Sequence, residues 1–365
     1  MLEAINELTR MPADLQAQIE KAFKEVLNSG WYALGPQVAR FETAFSDYCG
    51  VPYAIGVANG TDALQLALLG LGIGEGDYVA TAANAGGYAT HAIFSAHAQP
   101  RYAEIEPDTL TISASTLQSL DWQGVKALIV THLYGLMAPM PEIIELAARH
   151  GVAVIEDCAQ AHGALLDGRK SGFWGEVGCF SFYPTKNLGA LGDGGAVVTS
   201  DAELAGRIRQ LRQYGWKSKY NATLEHGRNS RLDEVQAALL MEKLPRLDGW
   251  NDRRREVARQ YASAIIHPEV LHPAILDERY VAHLYVIRTR HRESLQRHLG
   301  VCGIPCDIHY PIPDYRQPSL IRHFRGFSLP KTEAACAEVL TLPCFPEMTN
   351  EEVGQVVDAV NSWKP

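Results

Sequence analysis

The stretch that decides the fold of this chain reads Phe180-Ser-Phe-Tyr-Pro-Thr-Lys-Asn-Leu-Gly-Ala-Leu-Gly-Asp-Gly-Gly195. Its apolar beginning predicts a short strand at residues 178–182, after which Pro184 turns the chain so that it presents Lys186. The glycines that follow predict that backbone approaches a bound group closely. Upstream, Val152-Ala-Val-Ile-Glu-Asp157 is predicted to be a buried parallel strand that ends in a carboxylate.

The lysine and the carboxylate are informative as a pair. A lone lysine is usually a solvated charge, and a lone aspartate usually caps a helix. Together, at the ends of neighbouring strands, they suit pyridoxal 5'-phosphate (PLP). Lys186 would form an imine with the PLP aldehyde, and Asp157 would keep the ring nitrogen protonated. These two residues therefore predict a PLP site.

The composition argues against several other classes of protein. The 365 residues include 33 Lys and Arg against 42 Asp and Glu, a net charge of −9, which provides no basic stripe for nucleic acid and no polybasic membrane patch. No apolar run reaches the roughly 18 residues that a membrane helix needs. The acidic start of the sequence is unlike a secretory signal. The seven cysteines lack zinc-site spacing, so we expect reduced thiols, no metal site and a cytoplasmic location.

Strands and helices alternate along the first half of the chain. Strands are predicted at residues 78–81, 101–103, 125–131, 152–157, 178–182 and 196–199, and helices between them include 88–97 and 140–150. This order predicts a three-layer α/β domain with a largely parallel or mixed sheet. Ligands of such sheets bind beyond the carboxyl ends of the strands, which is where Asp157 and Lys186 are expected.

An anion site is predicted nearer the N-terminus. Residues 53–58 are predicted to form a strand, and Asn59-Gly-Thr-Asp62 then opens an apolar helix. The free N–H groups and the dipole at the start of a helix favour a phosphate. Any N-capped helix shares this feature, so the motif gains meaning only from its context.

Two domains are predicted, residues 1–247 and residues 248–365. Helical segments dominate residues 202–266, and Pro245 marks the junction between the domains. The smaller domain is predicted to be α+β, with strands at 284–289 and 306–310 and helices at 292–299, 331–340 and 350–362.

Several motifs recur in one order along nearly the whole chain: Gly35-Pro with Phe41-Glu, Asn59-Gly-Thr-Asp-Ala-Leu-Gln-Leu-Ala67, Glu156-Asp-Cys-Ala-Gln-Ala-His-Gly163, Ser181-Phe-Tyr-Pro-Thr-Lys-Asn-Leu188, Gly227-Arg-Asn-Ser-Arg-Leu-Asp-Glu-Val-Gln-Ala237 and His309-Tyr-Pro311. With them the sequence resembles the PLP-dependent nucleotide-sugar aminotransferases of the DegT/StrS type. The resemblance implies a fold-type-I, aspartate-aminotransferase-like α/β fold. It would comprise a large three-layer α/β domain and a smaller C-terminal α+β domain.

Carried over residue by residue, the resemblance implies how PLP would be held. Lys186 would be the Schiff-base lysine, and Asp157 would be the partner of the pyridine nitrogen. Gln160 would hydrogen-bond the ring hydroxyl oxygen, and Tyr88 would stack on the ring.

The resemblance also implies a phosphate site that two subunits share. Ser181 and the backbone of Gly60 and Thr61 would hold the phosphate from within one chain. Asn229 would reach the phosphate bound by the neighbouring subunit, so that a homodimer with shared active sites is implied.

Substrate contacts are expected from position. Tyr183 lies three residues before Lys186 and would bond a hexose hydroxyl or a phosphate. His309 and Tyr310 end a predicted strand of the small domain and would face the cleft. Lys219 would pair with the substrate pyrophosphate.

The resemblance also implies the reaction. Family members that dehydrate their substrates carry histidine in place of the lysine, so Lys186 implies transamination. The stretches Arg212-Gln-Tyr-Gly-Trp-Lys-Ser-Lys-Tyr220 and His283-Leu-Tyr-Val-Ile-Arg288 are most similar to enzymes that aminate C3 of a dTDP-linked 3-keto-6-deoxyhexose. L-Glutamate would be the amino donor, and a dTDP-3-amino-3,6-dideoxyhexose would be the product, used in lipopolysaccharide or other glycoconjugate biosynthesis.

Three alternatives are considered beside this interpretation. Amination at C4, or of a UDP- or GDP-linked sugar, stays open. A non-catalytic regulator of the same fold would be expected to have lost Lys186 or Asp157. A dinucleotide site at the glycine run is disfavoured, because these glycines precede a strand whereas a Rossmann fingerprint opens a helix.

Overall fold

The computed structural model describes residues 2–365. Its α-helices are α1 (Ala13–Ser29), α2 (Pro36–Cys49), α3 (Gly60–Gly70), α4 (Tyr88–Ser95), α5 (Ala114–Leu117), α6 (Met140–His150), α7 (Ala202–Leu211), α8 (Glu234–Lys243), α9 (Leu247–Ala264), α10 (Arg292–Val301), α11 (Pro330–Glu338) and α12 (Asn350–Ser362). Single turns of 3₁₀-helix occur at Leu8–Arg10, Leu133–Gly135, Leu244–Arg246 and Asp314–Arg316.

The strands are β1 (Tyr53–Val57), β2 (Tyr78–Ala82), β3 (Gln99–Ala103), β4 (Val125–Thr131), β5 (Ala153–Asp157), β6 (Leu165–Leu166), β7 (Arg169–Lys170), β8 (Val177–Ser181), β9 (Gly195–Thr199), β10 (Trp216–Ser218), β11 (Asn221–Ala222), β12 (Tyr285–Arg288) and β13 (Val339–Leu342). Within residues 2–365, the central sheet has the order β1-β9-β8-β5-β4-β2-β3. Neighbours from β8 to β3 are parallel, whereas β9 runs antiparallel to both β1 and β8. The mixed sheet confirms the predicted architecture.

Helices cover both faces of this sheet. Along β4, Leu128 and Val130 pack in one apolar cluster, and Ala127 and Ile129 pack in another. Successive side chains of a strand point to opposite faces, so the two clusters lie on either side of the sheet. The first cluster includes residues of α6, and the second includes residues of α3, α4 and α7. The three layers follow from strands that are apolar at nearly every position.

The register of the sheet positions the ends of three strands together. Thr131, the last residue of β4, is paired with Asp157, the last residue of β5. Asp157 is in turn paired with Cys179 of β8, which ends two residues later at Ser181. One edge of the sheet therefore carries two hydroxyl groups and a carboxylate from three neighbouring strands.

The C-terminal part differs from the prediction in two places. The expected strand at 284–289 is confirmed as β12, but the expected strand at 306–310 is wrong, since those residues form only a single bridge, Asp307 with Thr341. The helix expected at 331–340 ends at Glu338, because Val339–Leu342 form β13 and pair with β12. Pattern alone did not separate these alternatives, because short apolar runs suit either structure.

The helical region at 202–266 contains a hairpin that periodicity did not predict. Strands β10 and β11 pair antiparallel between α7 and α8, and Tyr220 in the turn has a left-handed backbone with φ of 68°. None of the helices in residues 2–365 combines the length and apolar composition that crossing a bilayer requires.

Candidate active site

Asp157 lies at the carboxyl end of β5, and its carboxylate is buried. Thr131 donates its hydroxyl to Oδ2 at 3.2 Å, and the Ala159 backbone N–H donates to Oδ1 at 3.2 Å. Burial raises the pKa of Asp157, although the Ala159 N–H and the charge of Lys186 oppose the rise. A desolvated carboxylate that is bonded only to neutral donors is suited to a cationic partner.

Lys186 lies in the loop after β8, where its backbone N–H donates to the Tyr183 carbonyl at 2.8 Å. Burial lowers the pKa of its amine from 10.5 to about 8, against the opposing charge of Asp157. At neutral pH this amine is far more often unprotonated than that of an ordinary lysine. An unprotonated amine is the form that attacks a carbonyl carbon.

A cradle for an anion lies where α3 begins. The Asn59 side chain caps the helix by accepting from the Asp62 N–H at 2.8 Å. The N–H groups of Gly60 and Thr61 have no acceptor among residues 2–365. A Cβ on Gly60 would lie 2.7 Å from Cβ of Ser181, so glycine is what allows the helix to start against the end of β8. Two free N–H groups and a hydroxyl thus meet at the positive end of a helix.

The glycine run after Lys186 was predicted to let backbone approach a bound group, but its last glycine packs against the protein itself. A Cβ on Gly195 would lie 2.5 Å from the carbonyl of Asn59. The close approach at this position is therefore between two segments of the protein, the start of β9 and the turn that opens α3. It fixes the helix start beside β8, and it does not leave room for a ligand there.

Gln160 and Tyr310 come together from distant parts of the chain. Gln160 accepts the Tyr134 N–H at 2.6 Å, which leaves its amide nitrogen to donate to the Tyr310 hydroxyl at 3.2 Å. The Tyr310 ring stands edge-on to the ring of Tyr88, with 6.2 Å between ring centroids. Half of Tyr88 is exposed, so this ring has an open face. Gln160, Tyr310 and Tyr88, which the sequence predicted at separate motifs, therefore lie side by side and form one wall of the candidate site.

His309 lies beside this wall. Its Nδ1 is 2.8 Å from the Thr341 hydroxyl, and its carbonyl accepts a hydrogen bond from the Tyr134 hydroxyl. Burial lowers the pKa of His309, the charge of Asp307 opposes the shift, and the charge of Lys186 adds to it. Because its pKa is lowered, the ring stays neutral at neutral pH.

Three predicted residues are exposed. Tyr183, on the lysine loop, is 52% exposed. Lys219 is exposed on the β10–β11 turn, with its amine 5.1 Å from the centre of the Tyr220 ring. Asn229 is exposed and forms a backbone bridge with Gln213. Across residues 2–365, no hydrogen bond or ion pair links the side chains of Lys219 and Asn229 to the strand-end cluster.

Sequence reasoning missed a buried pair beneath the cluster. His132 is 2.9 Å from Glu156 and accepts the Ala138 N–H at Nδ1, so its Nε2 carries the proton that Glu156 accepts. Glu156 also accepts N–H groups from Gly172, Trp174 and Gly175. A carboxylate inside a fully buried strand was the available signal, because a buried charge needs such partners.

The same pair belongs to a group with metal-ligand geometry. His132, Glu156 and Cys158 place ligand atoms within 4.8 Å of one another and are all buried. The carboxylate already has three backbone N–H donors and an imidazole. This hydrogen bonding accounts for the group as a support beneath Asp157.

Known proteins share this whole arrangement of elements. Residues 13–361 match the DegT/DnrJ/EryC1/StrS aminotransferase family. The chain is 43% identical over 354 residues to the dTDP-3-amino-3,4,6-trideoxy-alpha-D-glucose transaminase of Streptomyces venezuelae, covering 96% of this chain and 93% of that protein. It is 44% identical over 358 residues to the dTDP-3-amino-3,6-dideoxy-alpha-D-galactopyranose transaminase of Aneurinibacillus thermoaerophilus, covering 98% of each.

Two solved structures give the same result. The crystal structure of S. venezuelae DesV in complex with a ketimine intermediate superposes with a TM-score of 0.95 at 42% identity, over 98% of this chain and 97% of that one. The structure of NtdA from Bacillus subtilis with bound cofactor PMP gives a TM-score of 0.92 at 30% identity, over 97% of this chain and 83% of that one.

Proposed function

The chain belongs to the DegT/DnrJ/EryC1/StrS aminotransferase family, and from that premise we propose that it transfers an amino group to C3 of a dTDP-linked 3-keto-6-deoxyhexose. The product is a dTDP-3-amino-3,6-dideoxyhexose, the cofactor is PLP, and L-glutamate is the amino donor. The observation that carries the proposal is the position of Asp157 at the end of β5 and of Lys186 in the loop after the neighbouring strand β8, in a chain 43–44% identical to two dTDP-3-amino-sugar transaminases.

The residues at the sheet edge fit PLP. Asp157 is a buried carboxylate without an ion-pair partner within 4.0 Å among residues 2–365, and the protonated ring nitrogen would supply one. The unpartnered N–H groups of Gly60 and Thr61, together with Ser181, would bind the phosphate. PLP, when bound, supplies an electron-withdrawing ring next to the carbon that loses its proton.

Two further side chains orient the ring. The Gln160 amide nitrogen faces the Tyr310 hydroxyl, a position from which it would donate to the ring oxygen of PLP. Tyr88 offers its open face for stacking, and Tyr310 restrains it from the side.

Lys186 would carry the proton between a carbon atom of the cofactor and a carbon atom of the substrate. Because burial lowers the pKa of its amine to about 8, the amine exchanges protons readily near neutral pH. His309 stays neutral beside it, so that the site contains a single strong base.

The nucleotide sugar would be bound from the open side of the cluster. His309 and Tyr310 would contact the hexose from the buried wall, and Tyr183 would contact it from the exposed lysine loop. Lys219, on its exposed hairpin, would pair with the pyrophosphate.

We also propose a homodimer with shared sites. Asn229 is exposed, and in the dimer it would reach the phosphate held by the other subunit. Large apolar side chains are exposed on α1 and just after it: Phe23, Leu27, Trp31 and Tyr32. Such surface area favours a partner that covers it.

The division into residues 1–247 and residues 248–365 is likewise proposed. Its support is the 3₁₀ turn Leu244–Arg246, which contains Pro245 and separates α8 from α9. The two parts share one apolar cluster, in which Leu128 of β4 lies with Tyr261 of α9 and Leu340 of β13.

An assay of the purified protein with a panel of nucleotide sugars tests the proposed reaction. We expect L-glutamate to be converted to 2-oxoglutarate with the dTDP-linked 3-keto-6-deoxyhexose, and much more slowly with 4-keto sugars and with UDP- or GDP-linked sugars. Lys186→Ala is the control for adventitious transamination. Preference for a 4-keto sugar, or turnover of no nucleotide sugar at all, would contradict the proposal.

A further inference from the structure

The helix that carries Tyr88 has no cap from its own neighbouring residues. α4 begins directly after Gly86 and Gly87, whose backbones are both left-handed, with φ of 78° and 83°. Gly87 is the N-cap residue, and it has no side chain with which to bond the first N–H groups of the helix. Two consecutive glycines also leave the backbone much conformational freedom. The position of the Tyr88 ring must therefore be set by contacts from elsewhere in the chain.

Those contacts come from a loop in the C-terminal part of the chain. The Tyr310 ring packs on Gly86, where a Cβ would lie 2.9 Å from a ring carbon. The Asp314 backbone N–H donates to the Ala83 carbonyl at 2.8 Å. On the other side of the glycines, Thr90 in the first turn of α4 donates its hydroxyl to Asp314 Oδ2 at 2.6 Å. The loop is thus bonded to the chain both before and after the glycine turn.

The hydrogen bond between Asp314 and Thr90 lies in the interior, and each residue is only 1% exposed. Thr90 directs its single hydroxyl hydrogen to Asp314, so the Tyr102 hydroxyl, 3.1 Å away, donates to Thr90. Asp314 Oδ1 accepts no hydrogen bond of ordinary geometry from residues 2–365. A buried carboxyl group that is bonded this sparsely costs folding free energy, so stability alone does not explain its presence.

The hydrogen bond does not require a charge on Asp314. Burial raises the pKa of this carboxyl group to about 7, while the Thr90 hydroxyl and the Gly87 N–H oppose the rise. Both forms are therefore present near neutral pH, and either form keeps an oxygen that accepts the Thr90 hydrogen. The link needs an acceptor at position 314, and an amide oxygen would also serve.

We propose that Asp314 and Thr90 are positioning residues for Tyr88: their hydrogen bond fixes the first turn of α4 and so holds the Tyr88 ring in place for stacking on PLP. The loop that ends at Asp314 also carries Tyr310, whose ring stands edge-on to Tyr88 and whose hydroxyl accepts from Gln160. One link therefore aligns two of the side chains that would orient the cofactor ring. This role rests on the proposed aminotransferase function.

Paired substitutions at the two ends of the link test the proposal. Thr90→Val removes the hydroxyl and keeps the shape of the side chain, whereas Thr90→Ser keeps the hydroxyl. Asp314→Leu removes the acceptor at similar volume, whereas Asp314→Asn keeps an oxygen that accepts. Thr81→Val in β2 is the matched control, because the buried Thr81 hydroxyl has no hydrogen-bond partner among residues 2–365.

Equilibrium dialysis of the full-length protein gives the PLP affinity, and induced circular dichroism of the cofactor band reports the orientation of the bound ring. We expect Thr90→Val and Asp314→Leu each to weaken PLP binding by roughly fivefold and to change the dichroism, because a buried hydrogen bond is lost. Thr90→Ser and Asp314→Asn should stay within about twofold of the unsubstituted protein. The double variant Thr90→Val with Asp314→Leu should bind no more weakly than the weaker single variant, since both substitutions break the same link.

Unchanged PLP binding in Thr90→Val would overturn the proposal. An equal loss in Thr90→Ser or in Thr81→Val, or additive losses in the double variant, would overturn it as well. If Asp314→Leu fails to fold, the two Thr90 variants and Thr81→Val decide the matter without it.

A second measurement uses the cofactor-free protein. The His91 N–H donates to the Gly87 carbonyl at 2.8 Å and closes the first turn of α4. Its hydrogen exchange, followed by NMR, should be roughly fivefold faster in Thr90→Val than in Thr81→Val, because the start of the helix opens more often. Equal exchange rates would contradict the proposal. Neither measurement uses a nucleotide sugar, so failure of the proposed reaction would be seen separately in the substrate panel.

Discussion

Two regions that bear predicted site residues differ in how completely one chain builds them. The strand-end region, residues 153–160 and 181–188, places Asp157 and Lys186 among buried neighbours that shift the pKa of both. The hairpin loop, residues 213–230, carries Lys219 and Asn229 on its exposed surface. The pKa values and hydrogen bonds of buried groups are set by one subunit alone. Those of exposed groups depend on the molecule that binds to them.

The hairpin loop is also the more strained of the two. Tyr214, Tyr220 and His226 all have left-handed backbone conformations, with φ between 60° and 68°. Left-handed backbone in residues other than glycine costs energy and is found at functional sites more often than elsewhere. The proposed role of this loop, to present side chains to a second subunit or to a substrate, would give this geometry a use.

The strongest test of the strand-end region is Lys186→Ala. We expect turnover to fall by about 10⁴-fold, because the amine that moves the proton is removed. The protein should still fold, since a partly buried amine with a lowered pKa does not stabilise the folded state at neutral pH. Steady-state rates and thermal unfolding measure the two effects.

Lys217→Ala, in the exposed hairpin, is the control for Lys186→Ala. Substantial turnover by Lys186→Ala would remove the lysine from its role and with it the contrast between the two regions.

Asp157→Asn tests the other half of the strand-end region. Loss of the charge opposite the ring nitrogen should lower turnover by about 10²- to 10³-fold. In the cofactor-free protein, by contrast, Asp157→Asn should increase the stability of the folded state. Burial raises the folded-state pKa of Asp157 above 3.8, so its ionisation opposes folding.

The stability of cofactor-free Asp157→Asn should therefore depend on pH. No benefit is expected below the unfolded-state pKa, and the variant should gain in melting temperature over the unsubstituted protein as the pH rises through the folded-state pKa. Thermal melts between pH 4 and about pH 8 measure this difference. A variant that is less stable at neutral pH would show that the carboxylate is stabilised by something other than the cofactor.

Asn229→Ala tests whether the hairpin loop acts across subunits. Loss of one hydrogen bond to a charged phosphate should weaken PLP retention by roughly tenfold. Asn221→Ala, also exposed in the same hairpin, is the matched control. Equilibrium dialysis against PLP gives the affinity.

A complementation experiment sharpens the result for Asn229. Mixed dimers of Lys186→Ala and Asn229→Ala chains contain one site with both residues intact if the sites are shared. Recovery of activity on mixing and refolding is the expected outcome. The assay uses a PLP concentration at which Asn229→Ala chains alone are largely without cofactor. A mixture no more active than those chains alone, although mixed dimers form, would place Asn229 outside the shared site.

Lys219→Met should give the smallest effect. An exposed amine that pairs with a pyrophosphate contributes little, so we expect KM for the nucleotide sugar to rise by roughly two- to fivefold while kcat stays constant. The effect should decrease at high salt, because screening weakens exposed charge pairs. Lys217→Met controls for general loss of positive charge, and an equal rise in KM for both would show that Lys219 has no specific partner.

Local rules sufficed for the central sheet and for the pair Asp157 and Lys186. Asp157 ends an apolar strand and Lys186 lies in the loop that follows another, and the pattern of each strand is visible in a few consecutive residues. The strand expected at 306–310 is reduced to the single bridge of Asp307 with Thr341, whereas β13 pairs along its whole length with β12, and these two strands begin 54 residues apart at Tyr285 and Val339. Short strands depend on such partners more than on their own composition.

The amino-acid sequence by itself determined the order of strands and helices, the residues at the strand ends and the family that the motifs resemble. Only the tertiary structure decided the state of the groups around them. His132 meets Glu156 across 24 residues, Asn187 meets Asn251 across 64, and His283 meets Asn187 across 96. Burial and the orientation of partners far apart in the chain set pKa values and tautomers, and neither quantity is a property of a local pattern.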